Sequence, residues 1–91
     1  MASGRKIEIE KFNGQSFELW KLKMEDLLVD KDQWIVVDPG TKPTKMSDED
    51  WANLDNKAKR KIWLCISNSV LLNVSREGTT KALWDKLGTL Y

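Results

Sequence analysis

Ile62-Trp63-Leu64-Cys65-Ile66 is the stretch whose reading decides the fold of this chain. It lies inside a longer helical pattern that opens at Ser47. Successive side chains on a helix point about 100° apart, so five apolar residues in a row cover its whole circumference. A surface helix shows one apolar stripe and one wet face, whereas a helix apolar all round is enclosed on every side. Removing these side chains from water is worth roughly 1.5–3 kcal/mol each, before the entropy of ordering them. The stretch therefore reads as part of a central helix. Other segments, or a second chain, must wrap it.

At 91 residues the chain holds one small domain at most. A domain of that size buries only about 60–65% of the surface it exposes when unfolded. An apolar fraction of 41% and a charged fraction of 32% suit an ordered globular domain. Fifteen basic against fourteen acidic residues leave a net charge of +1, with no global pull toward nucleic acid or anionic lipid. Cys65 is the single cysteine, which excludes the disulfide framework of a secreted mini-protein. No run approaches the roughly 18 apolar residues of a membrane helix, and the N-terminus lacks a signal-peptide core. Ala2 in place of Gly removes the myristoylation motif. Asn73-Val74-Ser75 matches a glycosylation acceptor in form, without a secretory route to use it. The expected compartment is intracellular and cytoplasmic, with a nuclear presence left open.

Residues 1–5 are expected to be frayed, and residues 6–91 to form the domain. Ile7 and Ile9 alternate with charges between Lys6 and Phe12, which suits a short extended segment docked on one side. Asn13-Gly14 marks a turn, and Ser16 offers an N-cap with Glu18 in the first turn. Phe17, Trp20, Met24, Leu27 and Leu28 then recur at helical spacing. Leu19 and Leu22 are read as widening that face, in a helix running to about Val29. Trp34-Ile35-Val36-Val37 reads as a helical turn that inserts Trp34, with an edge strand as the alternative. Asp38-Pro39-Gly40 ends it, and the loop through Lys45 is the exposed connection.

Ser47 caps the central helix, Asp48, Glu49 and Asp50 fill its first turn, and Met46 is placed to staple onto Trp51. The acids there and Lys57, Lys59, Arg60 and Lys61 further along fit the helix dipole. One stripe takes Trp51, Leu54, Ala58, Ile62, Cys65, Ser69 and Leu72; a second takes Trp63, Ile66 and Val70. Ser67-Asn68-Ser69 is a place for a break, leaving Val70 to Val74 as a separate short helix. Glu77-Gly78 turns the chain, and Thr79 or Thr80 caps a last helix carrying Leu83, Trp84, Leu87, Leu90 and Tyr91. That pattern is still running at Tyr91, which reads as a truncation. The five Trp, with Phe12, Phe17 and Tyr91, read as bulky core filling, against the alternative of a base-stacking or ligand surface.

The missing chemistry is as informative. Without His, the usual general base, the Ser–His and Cys–His pairs and the commonest metal ligand are all absent. A single Cys cannot assemble a zinc site. The five glycines form neither GxxxxGKS/T nor GxGxxG. Cys65, in an apolar run, reads as a small core residue rather than a nucleophile. The expectation is a non-enzyme with no catalytic, cofactor or metal residues, no cofactor, no small-molecule substrate and no membrane. Lys57, Lys59, Arg60 and Lys61, helped by Arg5, Lys6 and Lys11, are either a solvated helix face or an RNA contact. Asp55 and the acidic first turn would weaken the latter.

Phe12-Asn13-Gly14, Phe17, Trp20, Met24 and Leu27-Leu28 resemble the opening "FxGxxFxxWxxxMxxLL" of Gag polyproteins from plant copia-type LTR retrotransposons. Asp50-Trp51-Ala52-Asn53-Leu54-Asp55, Ala58 and Ile62 continue the likeness. Thr80-Lys81-Ala82-Leu83-Trp84-Asp85-Lys86-Leu87 and Tyr91 look like the family's "tAkxxWdxLxxxY". The resemblance runs from about residue 7 to the end. It implies an all-α, capsid N-terminal-like bundle of about four to five helices, which assembles into virus-like particles around the element's RNA. The CCHC knuckle, protease, integrase and reverse transcriptase of longer relatives lie outside these residues.

Three readings follow. In the first, this is a structural Gag-like module forming homo-oligomers through the free apolar faces of the central and last helices. Trp63, Leu64, Trp84, Leu87 and Tyr91 are its candidate contacts. In the second, it is a helical RNA-binding domain using Lys57, Lys59, Arg60 and Lys61. In the third, a host-retained adaptor takes a peptide helix into a groove.

Overall fold

In the computed structural model the described residues are 9–91; the expected frayed residues 1–5 and Arg5, Lys6 and Ile7 lie outside them. Four α-helices and one 3-10 turn follow in order: α1 (Phe17–Asp30), the 3-10 turn Trp34–Val36, α2 (Asp48–Leu64), α3 (Asn68–Val74) and α4 (Thr80–Leu90). This is the small all-α bundle that the helical periodicities predict. Among the described residues there is no strand, only an isolated parallel bridge between Phe12 and Ile66.

α1 buries Trp20, Met24 and Leu28, spaced four apart on one face. Leu19 and Leu22 do not widen that face; they are 56% and 66% exposed. Ser16 precedes α1 but does not cap it with its side chain, because its backbone is left-handed (φ 58°) rather than extended. The turn before it is held by the Asn13 side-chain oxygen, which accepts from Gln15 N–H at 3.2 Å, and by Gly14 at φ 104°. At the other end Gln33 N–H closes onto Leu28 O at 2.7 Å, and the 3-10 turn inserts Trp34 edge-on against Trp84 at 5.2 Å. The helical-turn reading of 34–37 thus holds over the strand.

α2 begins as its cap predicts: Ser47 Oγ accepts from Asp50 N–H at 3.0 Å. Its end differs from expectation. The helix stops at Leu64, Cys65 N–H folds back to Ile62 O at 2.9 Å, and the chain then straightens. Phe12 N–H donates to Cys65 O at 2.9 Å and Ser67 N–H to Phe12 O at 2.8 Å. The quoted stretch is therefore not a helix section enclosed on all sides. Ile62 is buried from the helix and Ile66 from an extended segment, while Leu64 between them is 74% exposed. The extended segment at Phe12 offers a donor and an acceptor at this point, and Ser67 restarts the helix as the N-cap of α3, accepting from Val70 N–H at 3.4 Å. The restart rotates the pattern. Val70 and Val74 go inward, and Leu72, expected on the main stripe, is 78% exposed.

Thr79 caps α4, its Oγ1 accepting from Ala82 N–H at 3.1 Å. α4 packs on α2 and α3, and α2 also packs on the 3-10 turn. Of the aromatics expected as core filling, Phe12, Trp20 and Trp84 are buried, Phe17, Trp34, Trp51 and Trp63 pack against the core half-buried, and Tyr91 is 39% exposed. Phe12 lies 5.4 Å from Trp20 and 5.0 Å, edge-on, from Tyr91, and Trp20 stacks on Trp84 at 6.0 Å. Offset and edge-on pairs of this kind add about 0.5–1.5 kcal/mol each beyond the area they bury.

Candidate self-association surface

The helical skeleton decides which apolar side chains remain available to a partner. Trp84 and Leu87, expected on a free face, are buried in the core. The correction has a physical reason: α4 turns the face bearing Leu83, Trp84 and Leu87 inward, so these residues serve the domain's own packing. Trp63 is half-buried, with Lys59 Nζ 5.3 Å over its ring and its indole N–H buried without a partner. Tyr91 packs on Phe12, and its hydroxyl accepts from Asn73 Nδ2 at 3.2 Å. Of the five candidates Leu64 is the most exposed, and Tyr91 keeps 39% of its surface in water beside those contacts.

Other apolar residues take the places vacated. Leu19, Leu22 and Val29 form an outward stripe on α1, and Leu72 is exposed on α3. A signal for the α1 stripe was present in the sequence. Apolar residues on that helix occupy more of its circumference than one buried stripe can use, so some had to face water.

The basic cluster divides. Lys59 lies on the opposite side of α2 from Lys57, over Trp63, and its ammonium donates to Gly78 O at 3.3 Å, which gives it a structural task. Lys57 and Arg60 are exposed and Lys61 half-buried, and together with Leu64 they share one helix face at i, i+3, i+4 and i+7. Lys11 and Lys61 both act on the Cys65 thiol. Burial pushes that thiol up, and the two ammonium groups only partly offset the rise. A thiol so placed is a poor nucleophile.

Asp55 and Thr80 form a contact that the sequence did not announce. Thr80 Oγ1 donates to Asp55 O at 2.7 Å, and Asp55 Oδ1 accepts from Thr80 N–H at 3.0 Å. This clamp fixes the start of α4 on the middle of α2. A partner as remote as this leaves no trace in local spacing. Among the described residues no helix is long and apolar enough to cross a membrane, and no group of three His, Cys, Asp or Glu could hold a metal ion.

Comparison with known proteins decides the lineage. The family described as gag-polypeptide of LTR copia-type matches residues 24–91. The chain belongs to the copia-type gag family. A retrovirus-related Pol polyprotein from transposon TNT 1-94 of Nicotiana tabacum is 41% identical over 91 aligned residues, covering 98% of this chain and 7% of that polyprotein. The chain thus spans a small fraction of the length of that relative. No solved structure matches it. Membership in the gag family carries a structural rather than a catalytic role in a retrotransposon. The four-helix domain described above is how this copia-type gag region folds.

Proposed function

We propose that this copia-type gag domain is an assembly module that joins copies of itself through solvent-facing helix surfaces, as a step toward a particle. The observation that carries this reading is the apolar surface left over once the core is complete. Leu19, Leu22, Leu64 and Leu72 each expose more than half of their area. A concentration series by light scattering and sedimentation tests it. The expected result is an average mass that climbs with concentration and falls when Leu19, Leu22 and Leu64 become Ser. A strict monomer at millimolar concentration would overturn it.

RNA contact is the second reading, favoured by Lys57, Arg60 and Lys61 sharing one face of α2. Its signature is different. Affinity for added RNA should drop steeply between about 50 and 200 mM salt, and any mass gained through RNA bridging should vanish on nuclease treatment, which leaves direct self-association in place.

A further inference from the structure

The solvent face of α2 is sorted by charge along its length. Counting 100° per residue, Glu49, Asp50, Lys57, Arg60, Lys61 and Leu64 share one side, and Ala58 and Ile62 point the other way into the core. The acids stand in the first turn and the bases toward the end. They do not pair along the helix, because Ala52, Asn53 and Leu54 occupy the positions three and four residues beyond the acids. Among the described residues, none of the five charged side chains makes an ion pair elsewhere. The helix dipole explains acids in the first turn and Lys61 in the last. It does not reach Lys57, which lies in the helix interior.

A face acidic at one end and basic at the other is complementary to itself when two copies lie antiparallel. We infer that α2 of one copy pairs antiparallel with α2 of a second copy across a two-fold axis passing between Asp55 and Asn56. This rests on the self-association reading above and names its geometry. The axis sets Asp50 opposite Lys61 of the second copy, with Glu49 beside its Arg60, and the two-fold repeats both contacts, while Lys57 falls beside the axis and faces Lys57 of the second copy, a repulsion that weakens the pairing. It also sets Leu64 over Met46 and Ser47 of the second copy at each end, covering an apolar side chain that is 74% exposed in the single chain. Opposed helix dipoles favour the same arrangement. A contact the width of one helix is smaller than the roughly 1,200 Å² of a stable interface, so the pairing is weak, reversible and salt-sensitive.

Sedimentation velocity on nuclease-treated 91-residue chain tests this at about 0.05 M and about 0.5 M salt. The expected loss of dimer affinity at high salt is on the order of tenfold. Two charge variants are then compared, one with Lys57→Glu, Arg60→Glu and Lys61→Glu, the other with Glu49→Lys and Asp50→Lys. Each alone is expected to stay monomeric where the unaltered chain pairs, and an equimolar mixture to regain the dimer. Circular dichroism verifies the helices, and Arg60→Gln, at an exposed position, gives a milder version of the first variant. A mixture that stays monomeric overturns the proposal, as does association that disappears on nuclease treatment, which would mean nucleic acid bridging. Association indifferent to salt and charge overturns this geometry while leaving self-association standing. A chain monomeric under every condition sinks both.

Discussion

The indole N–H of Trp20 donates to the carbonyl oxygen of Cys65 at 2.9 Å, across 45 positions of sequence. The same oxygen accepts Phe12 N–H at 2.9 Å, so one carbonyl at the end of α2 gathers α1 and the N-terminal segment. That carbonyl is free to do so because the helix ends there: its orphan acceptors need partners from elsewhere in the chain.

Trp20→Phe keeps an aromatic ring and removes the donor. The expected cost is about 1–3 kcal/mol, from a lost partly buried hydrogen bond and the smaller ring. Urea titration should show a lower midpoint with an unchanged slope. A midpoint equal to that of the unaltered chain would mean the Cys65 carbonyl is satisfied by Phe12 alone.

Ile62 and Leu64 sit two residues apart and should respond in opposite ways. Ile62 is fully buried, and Ile62→Ala should cost about 2–5 kcal/mol. Leu64 stands in water, and Leu64→Ala should stay within about 0.5 kcal/mol. Thermal unfolding of the two variants checks the contrast. Equal losses would restore the picture of a stretch enclosed on all sides.

That pair also marks where the sequence stops being legible. Caps are local chemistry, and Ser47, Thr79 and the turn at Glu77-Gly78 could be read from neighbours within four positions. The inward face of α1 was readable for the same reason. The end of α2 was not, because it depends on Phe12, more than fifty positions earlier, which supplies hydrogen bonds that a continuing helix could not have used. The break offered by Ser67-Asn68-Ser69 and the short helix after it are present as α3, but carrying the stripe of α2 across that break set Leu72 inside, and Trp84 and Leu87 were left for a partner. The break at Leu64 turns Leu72 out, and α4 directs Trp84 and Leu87 into the chain's own core. Of the candidate surface, sequence located Leu64 and the exposed bases but missed the α1 stripe.

Thr80 offers a test of the clamp between α2 and α4. Its hydroxyl is buried and donates to Asp55 O at 2.7 Å. Thr80→Val fills nearly the same space and removes that donor, leaving the Asp55 carbonyl its bond within α2, at an expected cost of up to about 1.5 kcal/mol. Thr80→Ser keeps the donor and loses one methyl, about 0.8 kcal/mol. Chemical denaturation should rank Val below Ser. The reverse order would show that the methyl, not the hydrogen bond, holds α4 in place.

Cys65 supplies the pH dependence. Burial raises its thiol above the ordinary range, and Lys11 and Lys61 pull it back only in part, so the folded chain holds this proton more tightly than the unfolded chain does. The resulting stability is fully present below the unfolded thiol value of roughly 8.5 and is lost as pH rises through the higher folded value. Urea midpoints should therefore decline over that alkaline window in the native chain and less so in Cys65→Ala. Alkylation by iodoacetamide gives an independent reading, because only the thiolate reacts. Between pH 7 and 9 the rate should lag that of a small free thiol. Lys61→Ala should slow it further by removing a charge that favours the thiolate. A rate matching the free thiol, or one that Lys61→Ala leaves untouched, would place Cys65 in water and away from the basic face of α2.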